Sequence, residues 1–163
     1  EKKFNLEKIR KIMEVNYFGT INSINSVHNY FSNKKSGQIS IISSIAGYRG
    51  LPAAGAYCAS KSAVTSFTES LYFEMKKKNV RVSLISPGFI KTPMTDQNDF
   101  PMPMIKSPKF AGDKIYLGLI KEKSFEIHFP KTFTYLMKLI QILPNWLYFG
   151  VINFGNKFMK RDR

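Results

Sequence analysis

A tyrosine hydroxyl with a lysine ammonium four residues further on can do acid–base chemistry, because residues four apart on a helix share a face. Tyr57 and Lys61 have that spacing. An unperturbed phenol titrates at about 10. A cation beside it favours the phenolate and lowers that value, which makes the group a usable general acid/base. The pair alone is weak evidence, since Tyr30 with Lys34 and Tyr72 with Lys76 repeat it. Only Tyr57 has the rest of a site. Ser44 lies thirteen residues before it and closes the strand-like run Gln38-Ile39-Ser40-Ile41-Ile42-Ser43. The same step back lands on Tyr17 from Tyr30 and on Ala59 from Tyr72. A serine at the carboxyl end of a strand can hydrogen-bond a substrate oxygen. Proton transfer alone changes no oxidation state; a redox reaction at such a site would also need a hydride, which no side chain donates, and so a cofactor. The bland alternative is that Tyr57 packs beside a helix and Lys61 is a solvated charge.

The ordered set of strand, Ser44, Gly-rich loop, Tyr57 and Lys61 resembles the active-site segment of the short-chain dehydrogenase/reductase family. The resemblance covers residues 5 to about 129. It implies an α/β fold: part of a Rossmann-like, doubly wound parallel sheet with helices on both faces, followed by a helical tail. In that family's terms Tyr57 is the acid/base, Lys61 lowers its pKa and holds the nicotinamide ribose, and Ser44 orients the substrate oxygen. Asn16 matches an asparagine that completes a proton relay through water to the lysine. A second motif, Pro87-Gly88-Phe89-Ile90-Lys91-Thr92-Pro93, follows the buried strand Val80 to Ser86, where doubly wound sheets bind ligands. The resemblance implies that Pro87 and Gly88 border the nicotinamide, that Ile90 meets its carboxamide through backbone, and that Thr92 hydrogen-bonds the cofactor. Gly88 allows a close backbone approach to a ligand. The expected cofactor is NAD(P)(H), with NADP slightly favoured and the choice undetermined. No metal site is expected.

Two family features have no counterpart here: the glycine-rich phosphate turn and an Asn-Asn-Ala-Gly turn. The chain is therefore expected to be the carboxyl-side part of a longer alcohol dehydrogenase or carbonyl reductase. By itself it should bind dinucleotide poorly and reduce nothing, with strand 38–43 presenting an exposed hydrophobic edge. The rival reading is a non-catalytic interaction or dimerisation module acting through helices 5–32 and 55–78. The resemblance places the family's dimer interface on the same two helices, so a homo-oligomer is expected.

The elements that must position these groups follow from periodicity. Residues 5 to about 32 read as a helix, with Asn5 as N-cap and Glu7 in the first turn. Val15-Asn16-Tyr17-Phe18-Gly19 interrupts it, because neither Asn16 nor Gly19 is a good mid-helix residue. Ser36-Gly37 ends the helix, strand 38–43 follows, and the loop 44–54 is rich in Gly, Ala and Pro. The helix from about Gly55 to Lys78 carries an apolar stripe of Ala63, Val64, Phe67, Leu71 and Met75. Residues 93–106, with their Met and Pro, match the family's variable substrate lid and suit an apolar substrate. A helix over 108–122 and a strand over 125–129 complete the sheet region. His28 and His128 read as structural or solvated, Arg49 as solvated, and Cys58 as a small buried hydrophobe.

Length and a 44% hydrophobic composition suit one domain with a real core. The net charge is +14, but Lys, Asn, Ile and Phe are all abundant, so the charge reads as compositional. No zinc-finger spacing or basic heptad appears, and no nucleic-acid partner is expected. A single cysteine excludes an intramolecular disulfide framework and fits a reducing compartment. Glu1-Lys2-Lys3-Phe4 lacks the apolar core of a secretory signal, so a cytoplasmic, membrane-associable protein is expected. In residues 130–163, Lys138, Gln141, Pro144 and Asn145 interrupt the apolar run, which disfavours a spanning helix. Two short apolar helices with Trp146 and Tyr148 near the break suit peripheral membrane contact. Packing over the cleft or a subunit interface suits them equally.

Overall fold

The computed structural model describes residues 4–98 and 100–161. Its centre is a parallel sheet of β1 (Gln38–Ile42), β2 (Arg81–Pro87) and β3 (Glu126–Phe129), in the order β1-β2-β3. Gln38 lies opposite Arg81 and Ile42 opposite Ile85, while Leu84 lies opposite Glu126 and Pro87 opposite Phe129. Parallel neighbours need crossover connections. These are α3 (Gly55–Lys76) between β1 and β2, and α4 (Pro108–Tyr116) between β2 and β3.

Side chains alternate across a strand, and the two faces acquire separate cores. On one, Ile39, Ile41 and Val82 pack with Val64, Leu71 and Met75 of α3 and with Ile24 from the N-terminal helices. On the other, Ile85, Ile127 and Phe129 meet Phe110, Ala111 and Ile115 of α4. Helices thus cover both faces, and the fold is the Rossmann-like arrangement that the sequence implies. Among the described residues no strand pairs with the outer edge of β1, where Ile42 is 56% exposed.

The expected helix over 5–32 is α1 (Leu6–Met13), a π-helical segment (Glu14–Phe18) and α2 (Gly19–Lys34). The Asn5 side chain accepts from the Lys8 amide at 2.9 Å, the cap its residue type suggests. The interruption read at Asn16 and Gly19 is the π segment, closed by the Gly19 amide donating to the Glu14 carbonyl. The helix runs two residues past the expected end because Lys35, not Ser36-Gly37, takes the left-handed conformation that stops it. The 108–122 helix likewise turns π-helical over Leu117–Glu122 and ends at left-handed Lys123. Beyond β3 the tail forms α5 (Lys131–Gln141) and α6 (Asn145–Arg161), broken at Pro144 as expected. No helix among the described residues is long and apolar enough to cross a membrane.

Candidate active site

Parallel strands end on a common edge, so the residues following β1, β2 and β3 become neighbours. Two backbone bonds extend the ladder there. The Ser43 amide donates to the Ile85 carbonyl at 2.8 Å, and the Gly88 amide to the Phe129 carbonyl at 2.8 Å. Ser44, Pro87-Gly88 and Pro130 therefore leave the sheet side by side.

Ser44 is extended (φ −168°, ψ 159°), and its Oγ accepts from the Ala46 amide at 3.2 Å, capping the 3-10 turn Ile45–Gly47. That turn is clasped to α3. Ser43 Oγ donates to the Lys61 carbonyl at 3.0 Å and shares a hydrogen bond with Thr65 Oγ1 at 2.8 Å. Ser62 Oγ donates to the Gly47 carbonyl at 2.8 Å. Gly47 permits the contact: a β-carbon there would lie 2.9 Å from the Lys61 carbonyl oxygen. The backbone that carries Lys61 is thus fixed to the loop that carries Ser44.

Tyr57 and Lys61 lie one turn apart on α3, with Lys61 Nζ 5.9 Å from the Tyr57 ring centroid. The ammonium donates to the Ile42 carbonyl at 3.3 Å. Burial pushes the Tyr57 phenol above its ordinary value, a hydrogen bond with the Ser44 side chain pulls it partly back, and Cys58 adds a smaller upward push. Burial lowers Lys61. The sequence argument expects Lys61 to depress Tyr57. Here desolvation penalises phenolate and ammonium alike, and the phenol shifts upward instead.

Asn16 occupies the π segment, a feature frequent at functional sites. Its Nδ2 donates to Ser60 Oγ at 3.1 Å, and Ser60 Oγ donates to the Tyr57 carbonyl at 2.8 Å. The bond therefore reaches α3 one residue before Lys61, not Lys61 itself. The Asn16 carbonyl accepts from Thr20 Oγ1 at 2.8 Å.

Gly88 makes a close approach to the chain itself. A β-carbon there would lie 3.2 Å from Pro130 and 3.3 Å from Phe133. Beyond it, Ile90 and Lys106 form an isolated parallel bridge at the base of the lid. Thr92 is folded into a turn, its amide donating to Thr95 Oγ1 at 2.8 Å, while Thr95 Oγ1 donates to the Ile90 carbonyl at 2.8 Å.

Arg49 is not solvated. Its guanidinium donates to the carbonyls of Ile140 (3.3 Å), Gln141 (2.9 Å) and Leu143 and to Asn145 Oδ1, and it stacks 3.8 Å from the Tyr148 ring centroid. A cation satisfying the last carbonyls of α5 meets the negative end of that helix. Tyr148 is buried and donates to the Gly50 carbonyl. Tyr48 donates to Glu126 Oε1 at 2.6 Å, and Lys138 pairs with the other carboxylate oxygen. Burial and Glu126 push the Tyr48 phenol up, so it stays a donor. Loop 44–54 and the tail are therefore one assembly.

The histidines are structural, as expected. His28 bonds Glu74 of α3 at 2.8 Å, and buried His128 bonds Thr134 at 2.6 Å. Cys58 is buried, its sulfur accepting from the Leu51 amide. Sequence reasoning missed Ser43, Gly47, Ser60, Ser62 and Glu126. For the first four the only signal is a run of small residues beside the site; for Glu126 there is none.

Residues 1–101 match the short chain dehydrogenase family, and the chain belongs to it. It is 33% identical over 142 residues to an uncharacterized oxidoreductase of Myxococcus xanthus, covering 87% of this chain and 56% of that one. It is 37% identical over 93 residues to the 3-ketodihydrosphingosine reductase of Bacteroides thetaiotaomicron, covering 57% of this chain and 35% of that one. Among solved structures, a short chain dehydrogenase from Burkholderia cenocepacia in complex with NADP is similar at a TM-score of 0.79 and 26% identity, over 93% of this chain and 61% of that one. The chain thus spans less than two thirds of each relative's length.

Proposed function

We propose that the protein works as the carboxyl-side part of an oxidoreductase that interconverts an alcohol and a carbonyl with a nicotinamide dinucleotide. The observation that carries this reading is the clasp. Ser43 holds the Lys61 carbonyl and Ser62 the Gly47 carbonyl, so the strand end that carries Ser44 is tied to the helix that carries Tyr57 and Lys61.

The donor set fits the nicotinamide half of the cofactor. Lys61 Nζ and Tyr57 Oη would hold the ribose hydroxyls, and the Pro87-Gly88-Phe89-Ile90-Lys91-Thr92 turn leaves the carboxyl end of β2, where such sheets take their ligands. When bound, the nicotinamide supplies or accepts the hydride. The acid–base and orienting tasks fall to this chain. Ser44 Oγ orients the substrate oxygen. Tyr57 Oη gives that oxygen a proton in reduction and removes one in oxidation. Lys61 Nζ donates to the ribose and supplies positive charge, and Asn16 fixes the α3 turn that carries both groups. The Burkholderia structure holds NADP and a similar 3-oxoacyl-[acyl-carrier protein] reductase from Brucella melitensis holds NAD, which supports a nicotinamide dinucleotide and leaves the choice between the two open.

An apolar substrate suits the lid, where Met94, Phe100, Met104 and Ile105 are exposed. The Bacteroides relative is a 3-ketodihydrosphingosine reductase, which supports a ketone substrate. The test is Tyr57→Phe in the full-length protein. Turnover should fall by orders of magnitude while dinucleotide affinity survives. Near-normal activity across several carbonyl substrates would overturn the assignment.

A further inference from the structure

The tail has two apolar faces and has used only one. Thr134 and Met137 of α5 and Tyr148 of α6 turn inward and are buried. The opposite side carries Leu136, Leu139, Ile142, Trp146 and Phe149, three or four residues apart and all more than half exposed. Ile142 is 77% exposed and Trp146 75%. A helix packed on a globular core normally shows polar side chains outward, and a run of large apolar ones marks an interaction surface.

We infer that this face docks on an anionic lipid surface. Three observations favour lipid over a second copy of the chain. First, residues 130–163 hold six basic residues (Lys131, Lys138, Lys157, Lys160, Arg161, Arg163), of which Lys138 is paired with Glu126, against one acidic, Asp162. Two copies meeting through their tails would set net positive segments against each other, whereas an anionic surface complements them. Second, Trp146 flanks the α5–α6 break, and an exposed indole suits the headgroup level. Third, the stripe adjoins the substrate lid: Thr132 Oγ1 lies 3.6 Å from Met104 Sδ, and Met104 is itself exposed. Arg49 and Tyr148 tie the same helices to the loop after Ser44. Docking therefore sets the mouth of the site at the lipid surface, the place from which a lipid-soluble substrate enters.

Trp146 is the chain's one tryptophan, so its emission reads this face directly and needs no turnover. The docking and catalytic readings can thus fail separately. The 163-residue chain is titrated with vesicles of phosphatidylcholine containing a quarter phosphatidylglycerol, and in parallel with phosphatidylcholine alone. The inference expects a blue shift of Trp146 emission, quenching by lipids brominated in the acyl chain, and weaker binding at high salt. Leu139→Glu should weaken partitioning about tenfold or more, the scale of one exposed apolar side chain lost from an interface. Phe73→Glu, on an exposed site of α3, should leave it unchanged. Emission that stays constant at millimolar lipid would overturn the inference. So would emission that responds to protein concentration and not to lipid, which would assign the face to self-association. Equal binding to the neutral vesicles would overturn its anionic part. The wild-type titration decides even if Leu139→Glu fails to fold.

Discussion

Gly47→Ala isolates the clasp between loop and helix. The added β-carbon would sit 2.9 Å from the Lys61 carbonyl oxygen, 3.0 Å from its carbon and 3.1 Å from Thr65 Oγ1. Ordinary contact begins near 3.4 Å, so the gap is short by about half an ångström. Lys61 is mid-helix and cannot retreat without breaking the α3 ladder, so the turn Ile45–Gly47 must lift. Overpacking of this kind costs about 1–3 kcal/mol. At about 2–4 °C per kcal/mol for a domain this size, Tm should drop by roughly 2–12 °C. The turn carries Ser44 at its cap, and a misplacement of about 1 Å can cost about a hundredfold in rate. Half that displacement predicts roughly tenfold lower kcat in the full-length protein, with no catalytic group altered. The assays are thermal unfolding and steady-state turnover. Gly50→Ala is the control, since a β-carbon there meets nothing within 4 Å, and it should behave as wild type. If Gly47→Ala matches that control in both assays, the turn is not held at a fixed distance from α3 and the clasp argument is wrong.

Arg49→Ala removes the guanidinium from three backbone carbonyls at the end of α5. It should destabilise by about 2 kcal/mol, with limited proteolysis cutting first near residues 142–145. Glu126 gives a pH prediction. Burial raises its carboxyl, but hydrogen bonds from Lys138 and Tyr48 outweigh that and hold it below its ordinary value. A depressed folded pKa means the stabilisation is present above the unfolded carboxyl value of about 4.3 and is lost as pH falls through the lower folded value. Glu126→Gln should flatten that acid limb of a Tm-versus-pH curve and lower its plateau by roughly 2–8 °C, the equivalent of about 1–2 kcal/mol. For Lys61→Met in the chain without dinucleotide, the Tyr57 phenol, followed by NMR of ring-labelled tyrosine, should keep an elevated pKa. A rise of a full unit or more would show that the ammonium already acts on the phenol.

The elements were legible because each is written in local pattern. Ile39 and Ile41 alternate with Ser40 and Ile42, and that alone specifies a strand with one face inward. Asn5 caps α1 through its own side chain, and Asn16 with Gly19 marks an irregular helix. The two-residue error at the end of α2 comes from left-handed Lys35, a conformation that lysine's residue type does not announce. The candidate site residues stand out in the sequence for a different reason: the spacing of Ser44, Tyr57 and Lys61 joins a strand end, a loop and a helix turn in one ordered set.

What stayed hidden lies in partners far apart along the chain. Arg49 reads as solvated because nothing near it is an acceptor; its acceptors are 91 to 96 residues away. Glu126 carries no local mark, yet it joins Tyr48 to Lys138 across loop, strand and tail. The surroundings of Tyr57 stayed hidden for a related reason. Spacing reports that Lys61 is on the same face, but not that the Ile42 carbonyl engages its ammonium or that burial penalises both charged forms. Under the proposed function, an ammonium drawn from the Ile42 carbonyl toward a bound ribose would also bring its charge nearer the Tyr57 hydroxyl and favour the phenolate. Binding and acid–base readiness would then be coupled through the one side chain of Lys61.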